Sequence, residues 1–179
     1  VRPEELLEGD VEAILIYLRN TSFGPEYNVT LTDPQTGKPF NASILLDELN
    51  IKKPNQQPNE DGTFTVQLPK SKSTVKLKLL SLYELIELDR VIENYPVGRV
   101  APVITMKLER MIRELDGKDD RSQIAKFSEE MPIADSKFIR KFIQDNEPRL
   151  DLLKEVTAPS GERVMVNIAF GVEFFRPFF

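Results

Sequence analysis

Carboxylates are the residues of this chain best suited to acid–base chemistry. They occur as three neighbouring pairs, Glu4-Glu5, Asp119-Asp120 and Glu129-Glu130. Neighbouring residues on a helix point in different directions, so the two acids of a pair do not converge on one substrate atom. We expect solvated helix faces, and a hydrolase or transferase that uses carboxylates stays an alternative that needs acids gathered in a pocket.

Other residue types used in catalysis and metal binding are missing. The sequence has no Cys and no His, so it offers no thiol nucleophile, no imidazole base and no thiolate metal site. Ser71-Lys72 is similar to a serine–lysine dyad, but we expect this pair in an exposed turn. Asp116-Gly117 opens a fragment similar to a calcium loop that lacks the remaining ligands. We therefore predict that the chain is not an enzyme and uses no cofactor.

Two groups of side chains have the composition of a contact surface. Lys76 and Lys78 point to one side of a predicted strand, where they bind an acidic partner surface or phosphate, or are simply solvated. Five phenylalanines crowd the last ten residues, namely Phe170, Phe174, Phe175, Phe178 and Phe179. We expect a strand here with Phe170, Val172 and Phe174 on one face and Phe175 on the other, ended by Arg176-Pro177. Core packing and docking of another chain both explain such a strand.

Charge and hydropathy exclude two classes of partner. The 179 residues include 24 basic and 29 acidic side chains, a net charge of −5 at pH 7. A general nucleic-acid coat needs a positive surplus, so we predict no nucleic-acid partner. The longest mostly apolar stretch, Val11 to Leu18, is far shorter than the roughly 20 residues of a membrane span. The sequence leaves the oligomeric state undecided.

Hairpin signals lie near both ends of the chain. Val156-Thr157 leads into a turn at Ala158-Pro159-Ser160-Gly161 and a return strand from Val164 to Phe170. The segment from Val29 to Ile44 repeats this pattern around Asp33-Pro34-Gln35-Thr36-Gly37. We predict that these two turns lie side by side. A third hairpin is predicted from Thr63 to Leu79.

Helical periodicity fills the middle of the chain. Predicted helices cover 82–95, 101–115, 120–130 and 134–146, with Asp135 or Ser136 as the cap of the last one. An earlier helix is predicted over 10–20, with Asp10 as its cap and Val11, Ile14, Leu15 and Leu18 on its buried face. The fold class is therefore α+β, with hairpins near both ends forming a small sheet. The expected divisions are 1–80, 81–150 and 151–179.

Four stretches of this chain resemble the baseplate hub assembly proteins of T-even-type contractile-tailed bacteriophages. They are Leu7–Tyr27, the hairpin Val29–Ile44, Met131–Pro148 and Val156–Phe175. Some proteins of that family carry Cys-Pro-x-Cys-Gly knuckles, which together could hold one zinc ion, where this chain has its two turns. The resemblance also implies a segment before Val1.

The resemblance implies a non-enzymatic role in building the baseplate hub. We expect the chain to bind hub subunits in the host cytoplasm during assembly, as a chaperone that covers apolar surfaces. The alternative is a permanent structural subunit of the virion baseplate. The expected partner-binding residues are Phe174, Phe175, Phe178 and Phe179 as apolar anchors, with Lys76 and Lys78 as charges at the rim.

Overall fold

The structure, a computed structural model, describes residues 2–175. Its helices are α1 (Glu8–Phe23), α2 (Leu82–Glu93), α3 (Val103–Met111), α4 (Arg121–Glu130), α5 (Ile133–Asn146) and the single turn α6 (Val172–Phe175). Its strands are β1 (Glu26–Thr32), β2 (Pro39–Leu45), β3 (Ile51–Lys52), β4 (Phe64–Gln67), β5 (Thr74–Leu77), β6 (Ile112–Leu115), β7 (Arg149–Leu150), β8 (Leu153–Thr157) and β9 (Arg163–Asn167). Short 3-10 turns cover Pro3–Glu5 and Leu46–Glu48. The predicted α+β class is confirmed.

The described residues form two compact units. The first unit contains residues 2–8 and 53–147, and the second contains residues 9–52 and 148–175. The three divisions expected from the sequence, 1–80, 81–150 and 151–179, stay a prediction. Within residues 2–175, no helix combines the length and the apolar character that crossing a membrane requires.

The second unit is built from α1 and the hairpins near both ends of the chain. β1 pairs antiparallel with β2, and β8 pairs antiparallel with β9. Each pair is a two-stranded sheet of its own, so the structure has several small sheets where the sequence suggested a single one. Inward residues alternate along the strands and meet in one core, whose buried members are Ile16, Ile44, Leu46, Val166, Ile168 and Phe174.

Helix α1 is longer than predicted, and its buried face is rotated from the predicted one. It begins at Glu8, before the expected cap Asp10, and it ends at Phe23, where Gly24 has a positive φ of 83°. Of the predicted buried face, Ile14 and Leu18 are exposed and Val11 and Leu15 are half-buried, whereas Ile16 and Arg19 are buried. The prediction was wrong for Ile14 and Leu18 because apolar residues lie on both sides of this helix, so periodicity alone could not choose between them.

A close backbone contact fixes the buried side of α1. A Cβ atom at Gly9 would lie 2.1 Å from the carbonyl oxygen of Pro148. Only glycine allows this approach without a shift of the backbone. The inward face of the helix therefore follows from a contact with a distant segment, which the sequence does not reveal.

The predicted last strand is not a strand. β9 ends at Asn167, and Val172–Phe175 form the helical turn α6. Phe174 and Phe175 thus do not occupy opposite faces of a sheet, as alternation predicted. Gly171 accepts the N–H of Phe174 through its carbonyl oxygen at 3.1 Å, which turns the chain back on itself. The hydrogen bond that closes this turn and the burial of Phe174 together outweigh the preference of aromatic residues for strands.

The first unit packs helices against a three-stranded antiparallel sheet in the order β4-β5-β6. The predicted hairpin from Thr63 to Leu79 is confirmed as β4 and β5. The helix predicted over 101–115 stops at Met111, because Ile112–Leu115 pair with β5 as β6. Pairing with the edge of β5 gives residues 112–115 backbone hydrogen bonds, and Ile112 becomes completely buried. These two gains outweigh the helical propensity of the segment.

Caps define the helices of the first unit. Ser81 and Glu84 form a reciprocal capping box at the start of α2. Asp120 caps α4 by accepting the N–H groups of Ser122 and Gln123. The prediction for α5 was wrong: its N-cap position is Pro132, and no side chain caps it. The core of this unit contains Leu68, Val75, Leu77, Leu108, Ile112, Ile124, Ile139 and Ile143.

Candidate functional site

The first of the two related turns connects β1 to β2 and is organised by Asp33. Its Oδ1 accepts the backbone N–H of Gln35 at 2.9 Å and that of Thr36 at 3.2 Å. The N–H of Gly37 donates to the Asp33 carbonyl oxygen at 2.8 Å, with Gly37 at a φ of +67°. An aspartate at the start of such a turn satisfies the N–H groups that the turn leaves unpaired.

The second turn, between β8 and β9, meets the same carboxylate. Ser160 donates its backbone N–H to Asp33 Oδ2 at 3.1 Å and its hydroxyl to Asp33 Oδ1 at 2.8 Å. Asp33 is only 2% exposed. The two turns therefore lie side by side, and this prediction is confirmed. One carboxylate joins parts of the chain that lie 127 residues apart.

The environment of Asp33 favours its charged form. Burial alone would raise the pKa of its carboxyl group, but the hydrogen bonds from Ser160, Gln35 and Thr36 outweigh burial and hold the pKa below its ordinary value. Asp33 is thus an ionised acceptor at neutral pH, and in this form its carboxylate accepts hydrogen bonds from both turns.

An aromatic cluster lies in the core of the same unit. The ring of Phe174 is fully buried and lies 5.1 Å from Phe170, 5.0 Å from Phe175 and 5.4 Å from Tyr27, between ring centroids. The two phenylalanine contacts are edge-to-face, the geometry that aromatic rings favour. Through the contact of Phe174 with Tyr27, the cluster packs α6 against the start of β1.

Arg19 is a member of this cluster that sequence reasoning missed. It is 1% exposed, and it donates to the carbonyl oxygens of Gly24 at 2.8 Å and Glu26 at 3.0 Å. Its guanidinium lies over the rings of Phe23 at 5.2 Å and Phe174 at 5.9 Å. Burial lowers the pKa of Arg19. An arginine inside an apolar helix pattern was the available signal, because buried arginines need such partners.

Comparison with known families decides what kind of protein this is. Residues 1–176 match the family described as T4 bacteriophage base plate protein. The chain belongs to this family. No curated protein and no solved structure matches it. The resemblance to phage baseplate proteins is therefore confirmed, and the chain has a baseplate-related role in a bacteriophage.

The paired turns of this family member do not fit a zinc ion. Zinc sites in proteins take four ligands, chiefly cysteine and histidine, and the sequence contains neither. Both oxygens of the Asp33 carboxylate already accept hydrogen bonds. Within residues 2–175, no three acidic side chains gather in an arrangement that could hold a metal. Hydrogen bonds to a carboxylate connect these turns.

The predicted partner-binding phenylalanines lie in different environments. Phe174 occupies the core of the second unit, and Phe175 packs partly buried against it. Phe178 and Phe179 lie outside the described residues. For Phe174, this placement matches the core-packing explanation in the sequence analysis. Binding of a partner by any of the four stays a prediction.

The two predicted rim lysines lie in the first unit, and both form ion pairs. Lys76 Nζ lies 2.7 Å from Asp61 Oδ2 and 3.2 Å from Glu114 Oε1, and Lys78 pairs with Glu84. The hydrogen bonds to Asp61 and then Glu114 raise the pKa of Lys76. Lys76 and Thr63 lower the pKa of Asp61 to about 2. Neighbouring acids thus balance both lysines, whose partner-binding role stays a prediction.

A second buried aspartate, Asp135, has a tertiary role that its position in the sequence does not reveal. It is fully buried at the start of α5 and accepts the N–H of Lys70 at 2.7 Å and that of Ser71 at 2.8 Å. Burial alone would raise the pKa of Asp135, but these hydrogen bonds bring it below the ordinary value. Asp135 therefore holds the β4–β5 turn rather than its own helix.

Proposed function

We propose that this chain is a non-enzymatic assembly factor of the baseplate hub, which binds hub subunits and covers their apolar surfaces until the hub closes. The observation that carries the proposal is the family match over residues 1–176. A protein of this kind acts through its surface, and its partners are proteins rather than nucleic acid. It works in the host cytoplasm while the tail is assembled.

The placement of the candidate catalytic residues supports a non-enzymatic role. All six acids of the neighbouring pairs are exposed, and Asp120 is occupied as the cap of α4. Ser71 and Lys72 are exposed in the β4–β5 turn, where Lys72 has a positive φ of 64°. A lysine base in a serine–lysine dyad needs burial to lower its pKa, and this lysine lacks such burial.

The four proposed phenylalanine anchors do not all have the same role. Phe174 supports the fold from inside, so a contribution to binding would come through the position it gives to Phe175 and α6. Phe175, Phe178 and Phe179 are the proposed apolar contacts. Lys76 and Lys78 are proposed to influence the encounter with a partner, since charges at a rim change association rates more than affinity.

A permanent structural subunit of the virion baseplate is the second candidate function. The wording of the family description, a base plate protein, favours this candidate. A subunit and a chaperone both bind hub proteins, but only the subunit stays in the finished particle.

One experiment separates these functions. The full chain is tested for binding to each purified protein of its own tail-gene cluster, and purified virions are analysed by mass spectrometry. We expect binding to a hub protein that weakens when Phe178 and Phe179 are deleted, and absence of the chain from virions. Stoichiometric presence in virions would select the structural subunit, and a failure to bind any baseplate protein would contradict both functions.

A further inference from the structure

Helix α1 carries an apolar stripe on its outward side. We define the α1 stripe as Ile14, Tyr17 and Leu18, whose exposed fractions are 44%, 68% and 48%. Their spacing of three and four residues puts them next to one another on one face. Ala13 and Thr21 continue this face and are also exposed.

The α1 stripe is unusual because the opposite side of the helix already packs in the core. Ile16 and Arg19 are buried there, and Gly9 touches the backbone of Pro148. A helix on the surface of a protein normally turns charged residues outward, whereas a helix with apolar residues on both sides is typically covered on both sides. Between Ala13 and Thr21 the only charged residue is Arg19, which points inward.

The polar group at the end of the stripe is also satisfied within the helix. The hydroxyl of Thr21 donates to the carbonyl oxygen of Tyr17 at 2.9 Å and to that of Leu18 at 3.1 Å. A surface that covered the stripe would therefore leave this hydroxyl with its hydrogen bonds. Covering the Thr21 end of the stripe therefore leaves no unpaired hydroxyl at that residue.

We propose that the α1 stripe docks into an apolar groove of another baseplate protein, with basic residues at the ends of that groove. This inference rests on the proposed function and names the surface that performs it. The mode is a helix in a groove, with anchors at positions i, i+3 and i+4. Tyr17 is the central anchor because it is the most exposed of the three and combines a large apolar ring with a polar tip.

The charges around the stripe indicate which partner fits. Asp10 lies one turn before Ile14 on the same face and is exposed, and Glu26, the first charged residue after the helix, is exposed as well. Two copies of α1 packed in parallel would put Asp10 opposite Asp10. An antiparallel pair would bring Asp10 towards the end that Glu26 follows. Both arrangements oppose like charges, so a different protein with a basic rim fits better than a second copy.

The test measures binding of the purified full chain to each purified baseplate protein encoded in its tail-gene cluster, by biolayer interferometry. The test variants are Tyr17→Glu and Leu18→Glu. The matched control is Met165→Glu, which places the same charge at an apolar residue that is 54% exposed on β9 of the same unit. Circular dichroism melts check that each variant folds as the unchanged chain does. Tyr17→Ala removes the anchor without adding charge.

We expect Tyr17→Glu and Leu18→Glu to weaken binding by about tenfold or more, as loss of an interface hot spot does. Met165→Glu should bind as the unchanged chain does. Tyr17→Ala should weaken binding less than Tyr17→Glu does. Added salt should slow association, because the charges at the ends of the stripe are screened.

Three results would overturn the inference. If the unchanged chain binds a hub protein and both stripe variants bind it equally well, the stripe is not the docking surface, while the proposed function stands. If the unchanged chain forms a dimer that Tyr17→Glu dissociates, the occupant is a second copy. If the unchanged chain binds no baseplate protein, the proposed function fails as well.

Discussion

Asp33 and Asp135 are two buried aspartates that hold distant turns by the same chemistry. Asp33, in the second unit, accepts two N–H groups of its own turn and both donors of Ser160. Asp135, in the first unit, accepts two backbone N–H groups of the β4–β5 turn from the start of a helix. The ionised carboxylate is the strong acceptor in both cases, since hydrogen bonds to charged groups exceed neutral ones in strength.

The difference between the two aspartates lies in how much of their bonding is local. Half of the hydrogen bonds that the Asp33 carboxylate accepts come from the turn in which it lies, so it would shape that turn without the second turn. The bonds of Asp135 all reach a segment at least 64 residues away. Asp33 therefore combines a local and a tertiary role, whereas Asp135 acts only through tertiary structure.

Replacing Asp33 by alanine should cause the largest loss of thermal stability. The change removes four hydrogen bonds and leaves three backbone N–H groups without their acceptor. The melting temperature should fall further than for any other single carboxylate removed from the described part of the chain. Asp47→Ala removes an exposed acid of the same unit and should change little. Equal melting temperatures for Asp33→Ala and Asp47→Ala would contradict the central position of Asp33.

Asp135→Ala should have the second-largest effect, about 3 kcal/mol in the free energy of unfolding. Two charge-assisted hydrogen bonds are lost, and a hydrogen bond to a charged group typically contributes about 1.5–3 kcal/mol to stability. Asp135→Asn keeps one acceptor oxygen and should lose less. Urea denaturation measures both, with Asp119→Ala as the exposed control. If Asp135→Ala unfolds at the urea concentration of the control, the β4–β5 turn does not depend on this carboxylate.

The smallest effect should come from the exposed ion pair of Asp61 with Lys76. The Asp61 side chain is 50% exposed, so solvent screens the pair, and Lys76→Met should hardly change stability at neutral pH. The same variant should raise the pKa of Asp61 from about 2 towards its ordinary value of 3.8, because its first hydrogen-bond partner is lost. Carboxyl chemical shifts in an NMR titration measure this pKa.

Lowering the pH should reduce the contribution of the same three aspartates, Asp33, Asp61 and Asp135, to the free energy of unfolding. Each has a folded-state pKa below its ordinary value, so its contribution is present above that ordinary value and is lost as pH falls through the folded-state pKa. For Asp61 this loss falls between about 3.8 and about 2. A pKa for Asp61 that does not move in Lys76→Met would show that the ion pair does not set it.

Local signals in the sequence predicted much of the fold. The turn residues around Pro34 and Pro159 located two hairpins, because proline and glycine restrict or permit the dihedral angles that these turns need. The helix predicted over 120–130 is α4 (Arg121–Glu130), because helical periodicity also depends on neighbours in the sequence. The prediction for 112–115 was wrong because this strand forms only by pairing with β5, which lies far away in the sequence. The prediction for 172–175 was wrong because this helical turn forms where Phe174 enters a core built from distant residues.

The candidate surfaces were harder to predict than the elements. The spacing of Ile14 and Leu18 is correct for one face of a helix, but that face is exposed. Ile16 and Arg19 form the inner face because Gly9 lets α1 approach Pro148 and because two carbonyl oxygens and two rings surround the guanidinium. Each of these partners comes from another part of the second unit or from the helix end.

The sequence by itself determined the class of this protein: an α+β chain of the T4 bacteriophage base plate protein family, with two related turns near its ends. The α+β class and the turns follow from turn residues and periodicity, which depend on neighbours a few residues apart, and the family follows from the match over residues 1–176. Only the tertiary structure decided that Asp33 joins those turns, that Asp135 holds a distant hairpin and that α1 turns Tyr17 outward. These outcomes depend on contacts between residues far apart in the chain, where burial and hydrogen-bond geometry choose among arrangements that local preferences leave equal.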